Sequence, residues 1–264
     1  MMSNQTKKET LTPDKQRVWS EKDLSLNPHA ASDKANRVEA MFESISSRYD
    51  LNNRIHSFWL DQVWRKRAVA ASDLHIEDEV VDVACGTGDL SIAFAKANAK
   101  SVTGIDFTQG MIDRAKEKIE GSDAPIEFIT GDAMALDLQN ESADVVSIAF
   151  GIRNVQDPAV AIDEFYRVLR PNGRLVILEF STPKNALIRT VNNIYTKHIM
   201  PRTASFIAGD DSGAYHYLPK SVDTFLCAEE LAKTIEHAGF VEVTQTPLTF
   251  GVCTITVGRK VSRS

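Results

Sequence analysis

The chain has 264 residues, 43% hydrophobic and 25% charged, the balance of a folded globular protein rather than a disordered or collagenous one. Lys and Arg number 30 against 36 Asp and Glu, a formal net charge of −6, which excludes the overall basic footprint of a nucleic-acid binder. Three widely separated cysteines, Cys85, Cys227 and Cys253, and six histidines in no HxxxH pair leave no disulfide framework and no zinc-type spacing.

Residues 1–34 are polar and lack apolar periodicity, and read as a tail without fold. They hold no apolar stretch of the secretory kind, and no run in the chain reaches the roughly 18 apolar residues of a membrane span, so a cytoplasmic protein is expected. From residue 35 a single domain is expected. Val38, Met41, Phe42 and Ile45 recur at helical spacing, and Phe58, Trp59, Val63 and Trp64 resume it after a polar turn at Asn52 and Asn53, which predicts two helices ahead of the first strand. Past Asp78 short β-branched runs alternate with helical ones, the pattern of βαβ units. The predicted strands are Val80–Ala84, Ser101–Asp106, Ile126–Thr130, Ala143–Phe150 and Arg174–Phe180. The helices between them are Leu90–Ala97, Gln109–Ile119 and Ala159–Leu169, the last stopped by Pro171, Asn172 and Gly173. A helix at Ala228–Ala238 ends at Gly239, and strands Val241–Thr246 and Val252–Val257 lie close enough to pair antiparallel. The fold class is α/β, Rossmann-like, with a mostly parallel seven-stranded sheet.

The first strand runs into Asp82-Val83-Ala84-Cys85-Gly86-Thr87-Gly88-Asp89, a glycine turn that opens a helix where a doubly wound sheet binds a nucleotide. Asp106 ends the second strand, 18 residues after Gly88, placed to accept bonds from both hydroxyls of a ribose. The third strand leads into Gly131-Asp132-Ala133, placed to meet an adenine edge. A dinucleotide fingerprint needs a third glycine where Ser91 stands. S-adenosylmethionine (SAM) carries an adenosine but no pyrophosphate and does not need it, and its ammonium and sulfonium favour nearby acids. Asp82, Gly86, Gly88, Asp106 and Asp132 are therefore the expected SAM-binding residues; the alternative is a tight turn with three solvated strand-end acids.

Two further segments are Tyr49-Asp50-Leu51-Asn52-Asn53-Arg54-Ile55-His56-Ser57-Phe58, followed by Trp64, and Arg167-Val168-Leu169-Arg170-Pro171-Asn172-Gly173-Arg174-Leu175-Val176-Ile177-Leu178-Glu179-Phe180-Ser181. With Phe150-Gly151-Ile152-Arg153-Asn154-Val155 and Tyr215-His216-Tyr217-Leu218-Pro219-Lys220-Ser221-Val222, they resemble the ubiquinone/menaquinone biosynthesis C-methyltransferase family, over about Asn36 to Arg259. The resemblance implies a class I SAM-dependent methyltransferase whose sheet closes in an antiparallel hairpin, with SAM contacts at Thr87, Asp106, Asp132 and Ala133. It implies methyl transfer to a ring carbon of a polyprenylated quinol. That quinol is demethylmenaquinol in one branch, towards which Cys85 inclines, and 2-methoxy-6-polyprenyl-benzoquinol in the other. The chain departs from the family's usual residues at Asn52 (Met), Asp61 (His), Ala149 (Ser) and Asn172 (Gly). A methyltransferase for another small molecule and a non-catalytic SAM-binding scaffold are the rival readings.

A neutral quinol ring is a weak carbon nucleophile, so the reaction needs a base or a cation that holds the phenolate. Arg153, just past the fourth strand, is assigned to the quinolate oxygen or a water, because a guanidinium does not accept a proton; an ion pair with Asp157 is the alternative. Asn154 is placed to orient a quinol hydroxyl. His198, His216, Tyr195, Tyr215 and Tyr217 are candidates for proton acceptor or ring-oxygen partner, with His198 and Tyr217 foremost. Leu187, Ile188, Val191, Ile194, Tyr195, His198 and Ile199 share one helix face, and from Lys184 to Gly209 the charges are all basic. Residues 184–225 are expected to form a substrate lid with a peripheral membrane contact, or else an amphipathic helix packed on the sheet.

Overall fold

A computed structural model describes residues 18, 19, 23, 27–203 and 214–261. Its strands are β1 (Glu79–Val83), β2 (Ser101–Asp106), β3 (Ile126–Thr130), β4 (Ala143–Ala149), β5 (Leu169–Phe180), β6 (Val241–Leu248) and β7 (Cys253–Arg259). They form one sheet in the order β3-β2-β1-β4-β5-β7-β6, in which β7 runs antiparallel to both of its neighbours and the rest are parallel. The helices, in chain order, are α1 (Lys34–Ile45), α2 (Tyr49–His56), α3 (Leu60–Ala71), α4 (Asp89–Lys96), α5 (Gln109–Ile119), α6 (Pro158–Val168), α7 (Ala186–Ile194), α8 (Ala214–Thr224) and α9 (Ala228–His237).

Parallel strands buried on both faces demand apolar side chains at every position, and the alternation sorts them. Val81, Val83, Val146, Ile148, Leu175 and Ile177 pack with Ile162 and Phe165 of α6 and Leu231 and Ile235 of α9. Val80, Val102, Val145, Val176 and Leu178 pack on the other face with Trp64 and Ala68 of α3 and Leu90 and Phe94 of α4.

Two expectations change. Pro171, Asn172 and Gly173 do not end a helix ahead of a new strand: β5 begins at Leu169, opposite Ala143, and resumes its register at Arg174 opposite Val145 after an irregularity where Asn172 is left-handed (φ 64). The tail expected through residue 34 is folded where it is described. Trp19 is 2% exposed and stacks on Tyr217 at 4.6 Å, Pro28–Ala30 form a 3-10 turn, and buried Lys34 donates to the carbonyl of Val155 at 2.6 Å. Residues 1–17 lie outside the described residues. Trp19, Met41, Ile45, Ala214 and Tyr217 make a separate apolar cluster. With the bonds from Lys34 to Val155 and from Gly110 to Glu43, it seats α1 over the loops at the carboxyl edge of the sheet.

Gly88 has φ +81, and a Cβ there would fall 2.5 Å from the ring of Phe128. Gly121 has φ +72 with nothing within 4 Å. Gly121→Ala is therefore expected to cost only the left-handed strain, about 1–2 kcal/mol, and Gly88→Ala that strain plus overpacking, roughly 2–5 kcal/mol in all. Urea unfolding of the two variants side by side checks the difference.

Candidate active site

Two clefts open at the carboxyl edge of the parallel strands, the first past β1, β2, β3 and β4 and the second past β4 and β5. The first, about 790 Å³, is walled by Gly86, Asp106, Asp132 and Ala133 below and by Val38 and Phe42 of α1 above. The carboxylate of Asp106 accepts from the backbone N–H of Gly86 (2.8 Å) and of Thr108 (2.9 Å), which ties the glycine turn to β2 and leaves each oxygen one further acceptor position. Burial pushes this carboxyl up and the two N–H groups draw it back. Asp132 accepts from the N–H of Met134 at 2.9 Å. Gly86 has φ +55, and a Cβ there would meet only the Tyr49 ring, at 4.0 Å, so its backbone is open to the cleft. A carboxylate at the end of β2, a second after β3 and a bare turn between them fit the ribose and adenine of SAM.

The second cleft, about 1180 Å³, is lined mainly by apolar and aromatic groups, among them Trp64, Phe150, Phe180 and Tyr195, with Asp61, Arg65 and Arg153. Tyr49 and Phe150 belong to both clefts. Phe150 is left-handed (φ 59), an uncommon conformation for a bulky residue. Its ring lies 4.6 Å from Phe180 and 6.1 Å from Trp64, and its carbonyl accepts from Arg153 Nη1 (2.7 Å) and Asn154 Nδ2 (3.3 Å).

The sequence-predicted residues separate accordingly. Gly86, Asp106, Asp132, Ala133 and Asn154 wall the first cleft and Arg153 the second. Asp82 is not on the wall: it is buried under the turn, its oxygens accepting from Ser91 Oγ (2.6 Å) and Ser147 Oγ (2.9 Å). Gly88 serves packing against Phe128. Thr87 Oγ1 donates to Asp50 (2.5 Å) and accepts from Lys118 (2.8 Å). Arg153 pairs with Glu179 (2.7 Å) and not with Asp157, which caps α6 through the N–H groups of Ala159 and Val160. Tyr217 is a core residue whose hydroxyl donates to Asn154 Oδ1 (3.1 Å), and burial pushes it up to about 12, away from any role as a base. His198 and His216 are exposed. Tyr195 lines the second cleft, its hydroxyl donating to the carbonyl of His56 at 3.0 Å; the side chain of Tyr215 and residues 204–213 lie outside the description.

Sequence reasoning passed over Arg65 and gave Tyr49 and Phe150 no role. The available signal was a charge on a buried stripe: Asp61 and Arg65 are spaced i, i+4 beside Trp64 and Ala68, and all four are buried.

Residues 30–260 match the ubiE/COQ5 methyltransferase family. The chain is 41% identical over 229 residues, 86% of its length and 94% of the relative's, to a demethylmenaquinone methyltransferase of Deinococcus radiodurans. It is 41% identical to one of Thermus thermophilus, over 83% of this chain and 99% of the other. It is 37% identical to a ubiquinone/menaquinone biosynthesis C-methyltransferase UbiE of Geobacter sulfurreducens, over 90% and 94%. Among solved structures it shares its fold with a SAM-dependent methyltransferase of Thermotoga maritima, a possible histamine N-methyltransferase, at TM-score 0.59 and 20% identity over 84% of this chain and 99% of the other.

Burial pushes the carboxyl of Asp82 up to about 6 from 3.8, against the hydrogen bonds of Ser91 and Ser147. The folded state thus holds this proton more tightly than the unfolded chain, and the contribution to stability, complete below the ordinary value, is lost as pH rises through the raised one. Asp82→Asn carries no charge at any pH. Its unfolding free energy relative to wild type is expected to rise by up to about 3 kcal/mol between about pH 4 and 7.5, as read from urea midpoints across that range.

Proposed function

The chain belongs to the ubiE/COQ5 methyltransferase family and is a SAM-dependent methyltransferase; from that premise we propose that it methylates a ring carbon of a polyprenylated quinol, demethylmenaquinol, in menaquinone biosynthesis. The observation that carries the substrate class is the second cleft, large, ring-lined and joined to the cofactor cleft at Tyr49 and Phe150. An apolar slot of that kind suits a fused aromatic ring and an isoprenoid chain. The names of the relatives favour the naphthoquinol over the benzoquinol.

When bound, SAM supplies a sulfonium methyl that the ring carbon takes as the S–C bond breaks, the ring C–H proton passing to water. Asp106 would hold the ribose hydroxyls with its remaining acceptor positions, Gly86 would let the cofactor approach the backbone, and Asp132 and Ala133 would meet the adenine. Phe150 and Tyr49, at the junction of the two clefts, would orient the acceptor ring, and Arg153 and Asn154 position Phe150 through its carbonyl. The test is isotopically labelled SAM with short-prenyl demethylmenaquinol, the product analysed for a new ring C-methyl group. Transfer to the benzoquinol alone moves the enzyme to the other branch, and transfer to neither overturns the reading.

The membrane contact of this reading falls on an apolar rim beside the second cleft. Phe58 and Trp59 are 71% and 58% exposed, and Leu187 and Val191 of α7 are 74% and 60% exposed; the Phe58 ring lies 5.9 Å from that of Tyr195. The apolar face of α7 therefore points outward, not onto the sheet. Among the described residues no helix is long and apolar enough to cross a membrane, and the contact proposed is peripheral. Lys184 and Lys197 are paired with Glu229 (2.8 Å) and Asp223 (2.7 Å), while Arg189 and Arg202 bond to the carbonyls of Pro183 and His198; with two of the basic charges offset, apolar burial is the main drive of the proposed contact.

Asp106→Ala is expected to weaken SAM binding about 30- to 1000-fold, roughly 2–4 kcal/mol, and also to lower the melting temperature, because the same carboxylate anchors Gly86 and Thr108. Calorimetric titration and thermal melts read the two effects, and unchanged affinity removes Asp106 from the site. For the membrane contact, Trp59→Ser with Leu187→Ser is expected to lower co-sedimentation with lipid vesicles about tenfold or more, whereas added salt changes it little. Binding that follows salt and ignores the double substitution counts against the apolar rim.

A further inference from the structure

Arg65 projects from α3 into the second cleft. The residue is 9% exposed, its Nε is buried without a hydrogen-bond partner, and among the described residues it forms no ion pair. Among the described residues every other charge on that wall is engaged. Arg153 is bound to Glu179 (2.7 Å) and Asp223 to Lys197 (2.7 Å). Asp61, one turn before Arg65, accepts from Ser57 Oγ (2.8 Å) and Gln62 Nε2 (2.9 Å). His56 uses both ring nitrogens, on the Asn52 carbonyl and Thr203 Oγ1, each at 2.8 Å. The guanidinium carbon of Arg65 lies 5.3 Å from the centroid of the Phe150 ring, at the junction with the cofactor cleft. A buried cation without an anion is costly unless the site is completed by one.

We propose that Arg65, not Arg153, is the catalytic cation of this site: it donates to the phenolic oxygen of the bound acceptor and holds it as the phenolate from which the ring carbon attacks. The inference rests on the quinol reading for the identity of the acceptor and on the geometry for the residue. The phenolic proton leaves to water at the cleft mouth, and Arg65 keeps its own protons throughout. The protein contains an internal precedent: burial raises the phenol of Tyr49 at the same junction, and the charge of Arg65 is the largest influence opposing it. Asp82 and Asp89 also feel that charge, yet they bond to Ser91 and Ser147 and to Lys118 and Gln62 respectively.

The experiment uses a nitronaphthol whose anion is coloured, titrated against wild type, Arg65→Met, Arg65→Gln and Arg65→Lys, each first shown to bind SAM with wild-type affinity. On wild type the bound phenol is expected to ionise roughly one to three pH units below its free value. Arg65→Lys keeps most of that displacement, and the two neutral variants abolish it. Turnover of short-prenyl demethylmenaquinol is expected to fall about 100-fold or more in the neutral variants, the deficit shrinking for ring-substituted quinols with more acidic hydroxyls, a dependence that a merely structural role does not produce. Equal ionisation of the probe on wild type and whichever neutral variant binds SAM, or no preference of wild type for the anion, overturns the assignment. Failure of wild type to methylate a quinol while the probe still ionises early overturns the substrate reading and leaves Arg65 as the phenolate site.

Discussion

The carbonyl of Phe150 is the point on which the site depends. A bulky residue held left-handed costs about 1–2 kcal/mol and persists only where its surroundings over-determine it. Here the N–H of Phe150 donates to Leu178 on β5, and its carbonyl receives Arg153 and Asn154. The turn of β4 is thereby clamped, and the ring is driven out between the two clefts with Phe180 and Trp64 behind it. Gly151 follows because a Cβ there would fall 2.6 Å from Ala84 at the end of β1. The first cleft, the second cleft and the wall between them meet at one strained strand end.

Electrostatics divides the remaining groups into those that hold the frame and those left for chemistry. Arg153–Glu179 and Arg174–Asp78 are buried pairs, each supplemented by carbonyl acceptors, the arrangement that makes a desolvated charge tolerable. Asp82, with no cation bonded to it among the described residues, is served by two serine hydroxyls. Asp106 is half structural and half available. Arg65 has no such compensation among the described residues, and it faces the cavity.

The cover over the first cleft is attached by the same use of polar groups. Lys34 reaches the Val155 carbonyl just past the β4 loop, and burial, aided by the charge of Arg153, pushes its amine down to about 8. The first residue of α1 is therefore linked to the loop that carries Arg153 and Asn154, so α1, which roofs the cleft through Val38 and Phe42, is seated from the strand side. Trp19 on Tyr217, and the Tyr217 hydroxyl on Asn154, extend the attachment into α8.

The strands, their order of use and the glycine turn were legible in the sequence because periodicity and turn chemistry are local. Runs such as Ser101–Asp106 and Gln109–Ile119 appear in the structure with the same ends, and Asp106, Asp132 and Ala133 fall on the wall of the first cleft because parallel strands put their carboxyl ends on one edge. What tertiary structure decided is which polar side chain faces a cavity and which a partner, since that depends on groups distant in the chain. Asp82 and Asp106 look alike as strand-end acids, yet the first meets Ser91 and Ser147 beneath the turn and the second meets the cleft. Arg153 looks free until Glu179, 26 residues on, takes its charge. Asp61 and Arg65 look like a solvated helical pair until folding buries both on the wall of the second cleft, with the Arg65 guanidinium 5.3 Å from the Phe150 ring. Local pattern determined the frame of this protein; only long-range contact assigned its charges, because burial and pairing are properties of the assembled neighbourhood and not of the residue.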